Sequence, residues 1–125
     1  MLVRERRPSH KELQGKIALA KEAASEEAID LADPVSIALD AQDLDYMVEQ
    51  ISTVLGEILA EIEPNHYTGK RPPQQSYKAQ IRNCDLFAFR WESKRFGCES
   101  YLKFALKDNR LWVVSLHPHR EGHDE

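Results

Sequence analysis

Apolar positions along the chain change period once. Behind Ser9-x-x-Glu12, the spacing of a capping box, Leu13, Ile17, Ala20 and Ala24 recur at helical intervals and predict a helix over residues 10 to about 28. Asp33-Pro34 is a boundary, because proline at a first helical position needs no amide partner and aspartate before it can cap, so a short helix over 34 to 41 is expected. From Asp43 onward Leu44, Met47, Val48, Ile51, Val54, Leu55, Ile58, Leu59 and Ile62 form one apolar stripe, predicting a longer helix over 43 to 62. Glu63-Pro64 stops it. Residues 64 to 76 are rich in turn formers and contain Pro72-Pro73, the composition of a long loop. Thereafter aromatic and β-branched runs at 77 to 82 with 85 to 91, 99 to 107 and 111 to 117 predict an antiparallel meander. The expected architecture is α+β, with N-terminal helices packed on a C-terminal antiparallel sheet. It forms a single domain over 1 to 125: an N-terminal helix (1 to 32), a helical segment (33 to 63), the loop, the sheet (77 to 118) and a polar tail (119 to 125).

The last hairpin has two candidate registers. With a two-residue loop at Asp108-Asn109 both faces mix apolar and polar side chains. With a three-residue loop that includes Arg110, Leu102, Phe104, Leu106, Trp112, Val114 and Leu116 share one wholly apolar face. The three-residue loop is therefore expected, with its apolar face on the 43 to 62 helix. Tyr101, Lys103, Lys107, Ser115 and His117 then fall on the other face, Tyr101 opposite His117. Phe87, Phe89 and Trp91 alternate and are assigned to the core, which turns Arg90 toward Tyr101 and Lys103.

Composition narrows the class. The chain has 125 residues, 42% apolar and 30% charged, enough for one core without metal or disulfide staples. Its net charge of −4 hides an asymmetry. Residues 1 to 63 hold 6 Lys/Arg against 14 Asp/Glu, whereas 64 to 125 hold 11 against 7, so a nucleic-acid contact confined to the basic half is compatible with an acidic total. The bland alternative is an acidic solvated helix beside an ordinary sheet. No stretch has the length of a bilayer span and Met1–Arg7 is not followed by an apolar region, so no membrane association and a cytoplasmic location are expected. Cys84 and Cys98 lack metal or redox spacing and are expected to be reduced thiols, too far apart to bond.

Tyr, Lys and His on one exposed sheet face suit RNA cleavage without metal. The reaction needs a base for the ribose 2′-hydroxyl, an acid for the departing 5′-oxygen and cations for the phosphate. A solvated face of cross-strand polar pairs is the ordinary alternative. Three segments carry a resemblance: Asp33-Pro-Val-Ser-Ile-Ala-Leu-Asp-Ala-Gln-Asp-Leu-Asp-Tyr-Met, Pro64-Asn-His-Tyr, and Ser100-Tyr-Leu-Lys-Phe-Ala-Leu-Lys-Asp-Asn-Arg-Leu-Trp-Val-Val-Ser-Leu-His. They resemble the toxin of the motility quorum-sensing regulator (MqsR) family, which shares the RelE-like fold. The resemblance implies an mRNA endoribonuclease of a type II toxin-antitoxin system, acting on single-stranded mRNA alone or on the ribosome and held inactive by a cognate antitoxin. It places the family's catalytic tyrosine on Tyr101 and a strand lysine on Lys103. The family's final-strand lysine falls at His117, which brings an imidazole, a class of group that changes charge between about pH 5 and 8, in place of an ammonium. A further family lysine is replaced by Thr68, with Lys70 two residues on, and the family's catalytic glutamine has only Gln80 and Arg90 nearby in position.

The expected site is accordingly Tyr101, His117 and Lys103 for catalysis, with Arg90, Lys70, Arg71 and His119 on RNA. No cofactor and no metal are expected, since His117, His119, His123 and Asp124 match no firm zinc spacing. The competing expectation is a non-catalytic protein- or RNA-binding module on the same fold.

Overall fold

A computed structural model describes residues 8–120. Its elements run α1 (His10–Ser25), β1 (Ile29–Leu31), α2 (Pro34–Leu44), α3 (Ile51–Leu59), β2 (Phe87–Ser93), β3 (Cys98–Lys107) and β4 (Arg110–Pro118). The fold is α+β. Its four strands form one open sheet in the order β1-β4-β3-β2, and because β1 runs parallel to β4 the sheet is mixed and not purely antiparallel. The Asp30 carboxylate binds the Arg110 guanidinium across that added edge.

Local chemistry explains the helix starts. Ser9 and Glu12 exchange the two hydrogen bonds of a capping box, at 3.1 and 2.8 Å. Asp33 accepts from the Ser36 amide at 3.2 Å, with Pro34 in the first turn. The helix ends depart from expectation. α1 closes at Ser25 because Glu27 takes a left-handed φ of 57°, the Ala28 amide donates to the Ala23 carbonyl (2.9 Å) and the Glu27 amide to Ala24 (3.0 Å). α2 closes the same way at Asp45, φ 61°, with Tyr46 donating to Ala41 and Asp45 to Gln42. Both are Schellman motifs, built on acidic residues where glycine is usual. The continuous helix expected over 43 to 62 is therefore corrected to the end of α2, a 3₁₀ turn at Val48–Gln50, and α3.

One core joins the helices to one face of the sheet. Leu13, Ile17, Ile37, Ala41, Leu55, Ile58 and Leu59 meet Phe87, Phe89, Trp91, Leu102, Phe104, Leu111, Val113 and Leu116. The hairpin reaches this arrangement by using both candidate registers. From the turn, Lys107 pairs with Arg110 and Phe104 with Val113, the register of the two-residue loop, with Asp108 and Asn109 both at positive φ. Beyond a bulge at Val114, Lys103 pairs with Ser115 and Tyr101 with His117, the register of the three-residue loop. The bulge moves the apolar phase of β4 from Leu111 and Val113 to Leu116. Trp112 and Val114, expected on the helix side, are corrected to the opposite face, where they pack with Ile81, Leu86 and Ala105 in a second small cluster. A type I′ turn tolerates asparagine and prefers glycine at its second position. Asn109→Gly is expected to leave stability unchanged or improved, whereas Asn109→Val should cost about 1 to 2 kcal/mol, read by urea denaturation.

The run at 77 to 82, expected as a strand, is a 3₁₀ turn at Ala79–Ile81. Only Ile81 and Ser76 in this region are buried, Tyr77 is 83% exposed, and the segment closes on itself through Asn83 donating to the Ser76 carbonyl at 2.7 Å. Residues 64 to 76 are anchored and not structureless: Tyr67 bridges to Phe89, the Thr68 amide donates to the Ala88 carbonyl (2.8 Å), and Gln75 bridges to Asp85. Cys84 packs with the second cluster and Cys98 with the main core, so the sheet separates these two free thiols. No helix among the described residues is long and apolar enough to cross a membrane.

Candidate functional site

The sheet face away from the helices has a covered end and an open end. Near the β3–β4 turn it is roofed by the 76 to 86 segment, where Lys107 donates to the Gln80 carbonyl at 2.8 Å. Toward the other end the pairings Arg90 with Tyr101, Tyr101 with His117, Ala88 with Lys103 and Lys103 with Ser115 place Arg90, Lys103, Ser115 and His117 around Tyr101. This clustering follows from period-two alternation on three adjacent strands. It also depends on the bulge, since the turn register carried through would have put His117 out of line with Tyr101.

Tyr101, expected on an exposed face, is corrected to a buried position: it is 7% exposed and its hydroxyl is enclosed, because the neighbouring strands and the 69 to 74 loop close over it. Its ring lies against the half-buried His117 imidazole, centroids 5.0 Å apart and planes 21° from parallel. His117 Nδ1 is 2.7 Å from the Pro118 carbonyl oxygen. A carbonyl only accepts, so Nδ1 carries the proton in that contact and Nε2 is the nitrogen left for proton exchange in the neutral ring. Stacking and hydrogen bond together fix the ring's orientation. His119, two residues on and half-buried, donates its amide to the Glu99 carbonyl at 2.8 Å, extending the ladder past β4.

Besides Lys103 on β3, cations reach the site from two elements. Arg90 pairs with Glu99 at 3.3 Å across the strands, with both side chains more than two-fifths exposed, so the pair is worth little and a phosphate competes with it at small cost. Lys70 arrives from the loop. Tyr67 donates its hydroxyl to the Lys70 carbonyl, closing a tight turn in which a Cβ on Gly69 would come within 2.6 Å of the Tyr67 hydroxyl oxygen, so a side chain there would displace the Tyr67 ring. Burial above all, with Asp85 adding and Arg71 opposing, holds the Tyr67 phenol above its ordinary range and keeps it a donor. That turn sets Lys70 beside Gln74, Ala88, Tyr101 and Lys103 around a small hollow.

Of the expected site residues, Tyr101, His117, Lys103, Arg90 and Lys70 thus come together. Arg71 is differently engaged: its guanidinium lies over the Tyr67 ring at 4.9 Å and donates to the Pro8 carbonyl at 3.3 Å, bracing the loop against the start of α1. His123 and Asp124 lie outside the described residues, and among the described residues no group of three or more His, Cys, Asp or Glu is placed to hold a metal. Sequence reasoning missed Glu99 and Gln74. Glu99 was findable, as the diagonal cross-strand neighbour of Arg90. Gln74 carries no pattern signal, because only the folding of the loop onto β2 brings it to the hollow. Set beside known proteins, the chain matches no protein-family model and no curated protein.

Proposed function

We propose that the chain binds single-stranded RNA on the open end of this sheet face and cleaves it without a metal, as an MqsR-like toxin of RelE-like fold controlled in the cytoplasm by a cognate antitoxin. The observation that carries the proposal is the convergence of Arg90, Lys103, Lys70 and the oriented His117 imidazole around the buried Tyr101 on one sheet face. In the reaction a base removes the 2′-hydroxyl proton, O2′ bonds to phosphorus, the P–O5′ bond breaks and an acid protonates O5′. The products are a 2′,3′-cyclic phosphate and a 5′-hydroxyl. His117 Nε2 is the proton-transfer group, with the His119 imidazole, just past the end of β4, as its complement. Lys103 and Lys70 hold the phosphate, and Arg90 joins them by exchanging Glu99 for it. The enclosed hydroxyl makes Tyr101 a positioning residue that seats the imidazole.

The test is cleavage of a single-stranded RNA by the purified chain, freed of any partner, with chelator present, alone and with translating ribosomes. Wild type should yield cyclic phosphate ends. His117→Ala should lose roughly 10²-fold or more, the scale of general acid-base catalysis, while Tyr101→Phe, which keeps the stacked ring, should lose less than about tenfold. RNA left intact under both conditions would end the enzyme proposal. The enclosed Tyr101 hydroxyl and the Arg90–Glu99 pair favour one alternative, a non-catalytic module that holds RNA on the same face. Salt-dependent RNA binding without cleavage, weakened by Lys103→Ala, would establish that alternative.

A further inference from the structure

We propose that the outer face of α2 docks a cationic amphipathic helix of a partner protein, an interaction independent of the RNA site. Residues 22 to 69 contain 12 Asp/Glu and not one Lys or Arg. In the middle of this stretch α2 buries Ile37, Asp40, Ala41 and Leu44, yet turns Val35 and Leu39 outward at 71% and 61% exposure. Four residues apart, these two stand one turn from each other on one face, and Asp43 follows a turn later. Met47, 63% exposed, lies just past the left-handed cap at Asp45. Asp43, Asp45 and Glu49 are exposed and carry no ion pair among the described residues. An apolar pair at i and i+4 is a ridge against which the apolar stripe of a second amphipathic helix packs, helix on helix. Arg120 reaches α2 only at its buried flank, where it neutralises Asp40, so the unpaired carboxylates of Asp43, Asp45 and Glu49 beside Leu39 and Met47 select Lys/Arg flanks on the partner and repel both acidic helices and RNA. The charge of the rim, and not the apolar pair alone, identifies the occupant.

The full chain, isotope-labelled for NMR, should be titrated with a designed Leu/Lys helical peptide of about 18 residues, long enough to be helical, with leucines at i and i+4. A Leu/Glu peptide of the same spacing and a Ser/Lys peptide of the same charge are the controls. Saturable shifts confined to α2 and Met47 are expected with Leu/Lys alone. The double variant Val35→Ser/Leu39→Ser, at exposed positions that should leave the thermal midpoint unchanged, is expected to weaken binding by roughly tenfold or more. Asp43→Asn/Glu49→Gln should weaken it and flatten its salt dependence. The proposal is overturned if Ser/Lys binds as well as Leu/Lys, or if the Val35/Leu39 variant binds like wild type. Concentration-dependent shifts at α2 without peptide would also overturn it, assigning the face to a second copy of the chain.

Discussion

Phe104→Ala should lower stability by about 3 to 5 kcal/mol, the range for deleting a fully buried aromatic side chain. Phe104 is fully buried beside the bulge, on the core face of the central strand β3. Its ring lies 5.8 Å from Phe89, at 15°, and 5.9 Å from Phe87, at 40°. Phe89 in turn meets Tyr67 edge-on at 5.7 Å, so the stack couples the sheet to the loop that carries Lys70. Leaving the hole unfilled removes the dispersion contacts of both neighbouring rings, because a packed core collapses only partly around a deletion. For a domain of this size the thermal midpoint should fall on the order of 10 to 20 °C. A loss under about 1 kcal/mol in urea denaturation would remove Phe104 from the centre of the core. Leu106, partly exposed on the same strand, is the internal control and should cost less when truncated.

Glu61→Ala should cost about 2 to 4 kcal/mol, because it strands buried donors. One Glu61 carboxylate oxygen accepts from Trp91 Nε1 at 2.8 Å and Ser93 Oγ at 2.9 Å, and the other from the Arg95 amide at 2.9 Å. Trp91 and Ser93 are both buried. The β2–β3 turn, which Gly97 completes at φ 73°, is thereby fastened to the end of α3, with Arg95 also reaching Glu57. Burial pushes the Glu61 carboxyl upward, but hydrogen bonds from Trp91, Ser93 and the Arg95 and Lys94 amides outweigh it and hold the group below its ordinary value. A carboxyl depressed in the folded state contributes stability above its unfolded value and loses it as pH falls through the folded value. Wild type should therefore exceed Glu61→Gln at neutral pH, where glutamine offers an amide donor to donors, and the gap should narrow below about pH 4. A gap that stays constant from pH 7 to pH 3 would remove the charge from the explanation.

The candidate site was partly legible for a particular reason. Alternation alone places Arg90 opposite to Phe89 and Trp91, and Tyr101 and Lys103 opposite to Leu102 and Phe104, so the β2–β3 half of the face could be read residue by residue. The β4 half rested on choosing one hairpin register for the whole ladder. Both registers are used, so Tyr101 does pair with His117 while Trp112 and Val114 point the other way. A bulge has no sequence signature comparable to a glycine turn, and its gain is visible only once burial of Leu111, Val113 and Leu116 together is weighed.

By itself the sequence determined what local energies decide: the starts of α1 and α2, through Ser9, Glu12, Asp33 and Pro34, the apolar stripe of α3, and three antiparallel strands joined by short turns. Each depends on groups a few residues apart, whose pairing costs little chain entropy. Tertiary structure decided the rest. Glu27 and Asp45 end their helices in left-handed conformations that their residue types do not announce, held because Ala23, Ala41 and Tyr46 are buried by the core. Ile29–Leu31 becomes a strand only because β4 offers an edge some 80 residues away, and Asp30 meets Arg110 there. The 64 to 86 segment, too polar to declare a period, takes its shape from β2, and through it Lys70 and Gln74 reach Tyr101 and Lys103. These choices turn on burial summed across distant segments, a quantity no window of the chain contains.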